Sequence, residues 1–92
     1  MEYSRKFIVN SAFRVEKFEN EILLYAVSSS RGVYLNETAC LVWEMCAQCH
    51  SIDTIITLLE EAYPLQKETI REDVVAAIES LLENGALIAD NK

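Results

Sequence analysis

The residues with the most chemical potential sit close together. Cys46, Cys49 and His50 spell Cys-x-x-Cys-His within the stretch CAQCH, and Cys40 lies one helical segment upstream. Cys-x-x-Cys-His is the attachment signature of c-type haem. Thiolates with an imidazole also form a zinc-ligand set. A Cys beside a His could in principle pair a nucleophile with its base. Each chemistry asks for more than these letters. Haem wants a second axial ligand, but His50 is the single His, and the two Met are Met1 and Met45. Met45 adjoins the motif and is poorly placed to reach the opposite haem face. Zinc wants converging ligands, yet Cys40 and Cys46 on one helix point about 120° apart, and there is no second Cys pair. A three-ligand site from Cys46, Cys49 and His50 stays open. Adjacent Cys49 and His50 lack a third group to orient them as a catalytic pair. No phosphate-cradling Gly-rich loop or paired-carboxylate pocket can be named either. No catalytic residue is therefore assigned, and no enzyme activity or cofactor is expected. The plainer reading makes Cys40 and Cys46 small buried apolar groups, with Cys49-His50 in an exposed turn.

The elements around these residues follow from apolar periodicity. AFRVEKF (12–18) alternates apolar and polar side chains, as a half-buried strand does. ENE (19–21) turns the chain without a Gly, and ILLYAVS (22–28) reads as a well-buried strand. SSRG (29–32) is a second turn, with Gly32 free to take positive φ. VYL (33–35) is a short third strand, with Val33 and Leu35 on one face and Tyr34 on the other. These strands predict an antiparallel meander. Helices follow. Asn36 is a good N-cap, with Glu37 in the first turn, where the helix dipole favours negative charge. Ala39, Val42, Trp43 and Cys46 then share a face. Ser51 caps a second helix whose Ile52, Ile55, Ile56, Leu59 and Tyr63 keep the period until Pro64 ends it. A third helix spans about 67–84, with Ile70, Val74, Ala77, Ile78 and Leu81 as its stripe and Val75 and Leu82 widening it. Gly85 supplies a C-terminal cap, and ALIA (86–89) runs on as a short return strand. Strands first and helices after predict an α+β fold: a three-stranded antiparallel sheet followed by three helices, of winged helix-turn-helix type. Residues 1–11 are expected as an N-terminal extension, and 12–90 as the domain.

Composition narrows the classes. The 92 residues are 51% hydrophobic, with two Gly and one Pro, which suits one small globular domain. No apolar run approaches the roughly 18 to 20 residues of a membrane span. The N-terminus, MEYSRKFIVNSAFRV, lacks a secretory apolar core and cleavage site. A cytoplasmic location is expected, with reduced thiols and no membrane partner. The net charge is −7, and it is unevenly placed: residues 1–35 hold five basic and four acidic side chains, and residues 36–92 hold three and eleven.

Three segments carry a family resemblance. GVYLNETACLVWEM places Leu-Asn just before a helix and a Val-Trp pair inside it. SIDTIITLLEEAY is an apolar-spaced helix ending in Tyr. REDVVAAIESLLENGALI puts Asp-Val before a helical apolar repeat and then Gly-x-Leu-Ile. In that order, over about 12–90, they resemble the PqqD-like family of peptide-binding chaperones, also called RiPP recognition elements. The resemblance implies a winged helix-turn-helix fold without catalytic chemistry of its own. It implies capture of the leader segment of a ribosomally made precursor peptide, which is then presented to a modifying enzyme. That enzyme is a radical SAM protein, as in PQQ biosynthesis, or a leader peptidase, as in lasso-peptide systems. It also implies that the leader adds as a strand beside Gly32, Val33, Tyr34 and Leu35 and lies against the third helix. The candidate wall there comprises Arg71, Asp73, Val75, Ile78, Glu79 and Leu82. The chain departs from the family's pattern at two places. Cys49-His50 stands where members usually carry a Gly, and Ala77 stands where many have Phe, which would widen the groove.

Winged helix-turn-helix domains also bind DNA, and that reading is the main rival. DNA affinity comes largely from neutralised phosphates. The third helix carries Lys67 and Arg71 against Glu68, Glu72, Asp73, Glu79 and Glu83. That balance is wrong for a recognition helix, so no nucleic-acid partner is expected.

Overall fold

The fold was described from a computed structural model that covers residues 3–19, 21–28 and 32–89. The expected meander is present. Strands β2 (Phe13–Lys17), β3 (Ile22–Ala26) and β4 (Gly32–Leu35) form an antiparallel sheet in the order β2-β3-β4. The register pairs Val15 with Leu24, and Leu24 with Val33. Because side chains alternate along a strand, Phe13, Val15, Leu24, Ala26, Val33 and Leu35 share one face. Arg14, Glu16, Leu23, Tyr25 and Tyr34 share the other. The first face meets the helices: Leu24 is buried, and Val33 and Leu35 pack on the core. The turn expected over 29–32 lies outside the described residues except for Gly32, and Asn20 of the 19–21 turn also lies outside them.

Helices α1 (Glu37–Ala47), α2 (Ile52–Ala62) and α3 (Lys67–Glu83) follow, with a 3-10 turn at Pro64–Gln66 before α3. Both expected N-caps close as capping chemistry requires. Asn36 Oδ1 accepts from the Ala39 amide at 2.8 Å, and Ser51 Oγ accepts from the Thr54 amide at 3.3 Å. The core is continuous from the sheet through the helices. Leu24, Val42, Ile52, Ile55, Val74 and Ile78 are each fully enclosed, and each contributes about 1.5–3 kcal/mol of apolar burial. Trp43 and Cys46 of α1 join the same cluster. No described helix is long and apolar enough to cross a membrane.

The segment expected as an extension is woven into the domain. Phe7–Val9 forms strand β1, which pairs antiparallel with β5 (Leu87–Ala89) in a separate two-stranded ribbon. The return strand therefore pairs with the N-terminal segment and not with the meander. Phe7 is buried in the core. The carbonyls of Tyr3 and Arg5 accept from the amides of Asp53 and Ile52 at 2.7 and 3.1 Å. Two otherwise unpaired donors at the start of α2 are thereby satisfied. Asn10 fixes the other end of the strand. Its amide donates to the Ala86 carbonyl at 2.7 Å, and its Nδ2 donates to the Gly85 carbonyl at 2.9 Å.

Candidate functional site

β4 is an edge strand, and among the described residues no strand pairs with its outer side. Its exposed N–H and C=O groups are therefore available to an extended chain. Beside that edge runs a groove of about 320 Å³ lined by Tyr34, Leu35 and Asn36, by Thr38 and Ala39 of α1, and by Asp73, Ala76, Ala77, Ser80 and Leu81 of α3. The side chains along its floor are mostly small, so the backbone of an incoming strand can approach while its side chains project inward. Asp73 is the single charged lining residue.

The expected site residues divide between this groove and other places. Tyr34 is 66% exposed at the rim, and Leu35 lines the groove with its side chain partly on the core. Gly32 and Val33 lie on the same edge strand, Gly32 exposed and Val33 half-buried. Of the third-helix wall, Asp73 alone borders the groove. At about 100° per residue, Arg71, Val75, Ile78, Glu79 and Leu82 lie roughly 120–180° around α3 from Asp73. Ile78 is completely enclosed in the core, and Leu82 packs half-buried against it. Val75 is half-buried and Glu79 is exposed. The Arg71 guanidinium sits 4.9 Å over the Tyr3 ring, a cation–π contact that ties α3 to the N-terminal segment. The groove face of α3 is thus mostly small residues, Asp73, Ala76, Ala77 and Ser80, with buried Leu81 beside them. An apolar stripe marks the face a helix turns to its core, and Val75, Ile78 and Leu82 lie on that side of α3, away from the groove. The signal that was available was Ala and Ser at three- and four-residue spacing beside Asp73.

On the other side of the Leu35–Asn36 junction lies a second concavity, of about 530 Å³, between the β2–β3 hairpin and α1. Ile22, Leu35, Cys40 and Leu41 give it apolar lining, and Lys17, Glu19, Glu21, Glu37 and Glu44 give it charge. Lys17 Nζ donates to Glu44 Oε1 at 3.0 Å. That bond raises the lysine's pKa and holds the Glu44 carboxyl below its ordinary value. Cys40 Sγ donates to the same oxygen at 3.4 Å. Burial, followed by this hydrogen bond, pushes the Cys40 thiol up.

CAQCH resolves into a helix terminus. Cys46 is buried, and burial pushes its thiol up to about 11, so it is a poor ligand or nucleophile near neutrality. Cys49 is exposed, with φ of 66°. The His50 amide donates to the Met45 carbonyl, and the Cys49 amide to the Cys46 carbonyl. This is the Schellman pattern, in which the left-handed position usually holds Gly. Among the described residues no three His, Cys, Asp or Glu side chains converge as a metal site. The Cys46/Cys49/His50 alternative therefore has no geometry behind it.

The fold has solved counterparts. A lasso peptide synthetase B1, in a structure with its leader peptide, superposes with a TM-score of 0.75 at 24% identity, over 90% of this chain and 98% of that one. TbiB1, in complex with the TbiA(beta) leader peptide, superposes at 0.71 and 14% identity, over 87% and 93% of the two chains. No curated protein matches significantly in sequence. The sequence pattern of the coenzyme PQQ synthesis protein D family, PqqD, matches residues 21–87, a span that begins in the β2–β3 turn and ends at the first residue of β5. With the meander, the helices and the matched span agreeing, this chain belongs to the PqqD family.

Proposed function

We propose that this chain binds the leader segment of a ribosomally made precursor peptide as an added strand on β4 and presents it to a modifying enzyme. The observation that carries the reading is the open edge of β4 beside the groove under Tyr34 and α3. An extended peptide gains affinity from backbone bonds to the edge, and selectivity from the side chains it turns toward the groove. Both similar solved structures hold leader peptides, which supports the same use here. The chain supplies binding, and the receiving enzyme, a radical SAM protein or a leader peptidase, supplies the chemistry.

Titration calorimetry with synthetic leader peptides of candidate precursors tests the reading. One-to-one binding at low-micromolar affinity or tighter is expected. Val33→Pro distorts the edge and should abolish it, with circular dichroism confirming that the variant is folded. Unchanged affinity in a folded Val33→Pro protein would contradict strand addition.

A further inference from the structure

We propose that the outer face of the meander, at Leu23, Tyr25, Gly32 and Tyr34, reads a second side chain of the added strand and selects a large apolar or aromatic one. This rests on the strand-addition reading of β4, and it uses the face of the sheet opposite the core. Three observations carry it. First, Gly32 is not there for its backbone. It lies in the extended strand, and Gly85 is the single glycine with positive φ. Its missing side chain leaves space instead. A Cβ at Gly32 would stand 3.3 Å from Leu23 Cδ1 and 3.6 Å from Tyr25 Cβ. The result is a notch walled by those two residues, with Tyr34 two positions along the same face. A glycine inside a strand often marks the close approach of a ligand or another chain. Second, the two edges of the sheet differ. β2 carries Arg14, Glu16 and Lys17, the kind of charge that guards an edge against pairing. β4 carries no charge, and its outward side chain, Tyr34, is 66% exposed. Third, the face is apolar where an added strand would lie. An antiparallel sheet ordinarily turns polar side chains to water. Here Leu23 pairs with Tyr34, and Tyr25 with Gly32. The charges Arg14 and Glu16 lie across the sheet on β2, where Glu16 accepts from the Tyr25 hydroxyl at 3.2 Å. Side chains opposite or diagonal on neighbouring strands touch when one is aromatic. A large apolar side chain turned outward beside Gly32 fills the notch and meets the Tyr34 ring. Because side chains alternate along a strand, it is the sequence neighbour of one turned into the groove. Strands of four and five residues give this face roughly 250 Å² at sheet spacings, against about 800 Å² per partner in a stable complex. The face therefore fits an added strand and not a second copy.

A random 16-residue display library panned on the immobilised full-length chain supplies the probe peptides. Each synthetic binder is then scanned with Ala along its length. Tyr34→Ala removes the ring and Gly32→Thr fills the notch. Each should weaken the parent peptide about three- to tenfold, the scale of an aromatic pair. One large apolar or aromatic peptide residue should carry that effect: once it is changed to Ala, both variants should shift affinity by less than about twofold. Ala76→Trp, which fills the groove, should abolish binding of parent and Ala-scanned peptides alike. Circular dichroism checks that each variant is folded, and the exposed Tyr34→Ala position carries the test if Gly32→Thr does not fold. Peptides lost on Ala76→Trp and Val33→Pro but indifferent to Tyr34→Ala and Gly32→Thr would overturn the outer-face reading and leave the groove standing. Equal losses for the parent and every Ala-scanned peptide would do the same, because no peptide side chain would then be read there. A dimer in sedimentation that Tyr34→Ala splits would assign the face to a second copy and overturn the proposal. No binders, or binders indifferent to Ala76→Trp and Val33→Pro alike, would remove the β4 reading itself, and this proposal with it.

Discussion

Cys49 and Gly85 occupy the same position at the ends of two helices. Each takes positive φ, 66° and 77°. At each, the two amides after the helix close back on its last turn: His50 on Met45 and Cys49 on Cys46 after α1, Ala86 on Leu81 and Gly85 on Leu82 after α3. Glycine adopts this backbone freely, whereas a side chain costs about 1–2 kcal/mol there. Gly85→Ala should therefore lower stability by about 1 kcal/mol or more, and Cys49→Gly should raise it by somewhat less. The gain is smaller because glycine also loosens the unfolded chain. Urea denaturation measures both. The thiols give a second prediction. Cys46 keeps its proton to about pH 11 when folded, against an ordinary value of 9.0. The folded state thus holds more protons than the unfolded state in that window. Stability is intact below about pH 9 and falls as the pH rises toward 11, by about 2–3 kcal/mol from this group. Cys46→Ala should flatten that alkaline loss in thermal melts across the same window. A thiol reagent near neutral pH should modify exposed Cys49 quickly, and buried Cys40 and Cys46 only on unfolding. Rapid labelling of all three would contradict the burial described for α1.

At the scale of elements, β1 carries structural weight out of proportion to its three residues. It supplies Phe7 to the core and pairs with β5, and the chain just before it caps α2. Phe7→Ala should cost about 3–5 kcal/mol in chemical denaturation, enough to threaten a domain this small. Asn36→Ala should cost about 1 kcal/mol by removing the α1 cap. It would also loosen the junction that borders both concavities. The meander, the three helices and their caps were legible in the sequence because each is local. Alternation, three-and-four spacing, Asn36, Ser51, Pro64 and Gly85 mark them without reference to distant residues. β1 was not legible, since FIV is short and its partner Leu87–Ala89 lies almost the whole chain away. The edge of the site could be read from the position of β4 in the meander. Its opposite wall could be read only in part, at Asp73 and Ala77. Apolar spacing reports the face a helix turns to the core, and the stripe of α3 that borders the groove is mostly small residues instead.

At the scale of the molecule, the fold sets an open strand edge beside a groove of mostly small side chains from α1 and α3. The net charge of −7 makes the surface inhospitable to polyanions and hospitable to extended chains that are neutral or basic. The account turns on whether a leader peptide becomes a fourth strand of the meander. The direct measurement is residue-resolved amide hydrogen exchange on the chain with and without a leader peptide that it binds. The account predicts that binding slows exchange at the outward-facing amides of Gly32–Leu35, with smaller protection along the Asp73–Ser80 face of α3. Tight binding that leaves the β4 amides exchanging as in the free protein would contradict it.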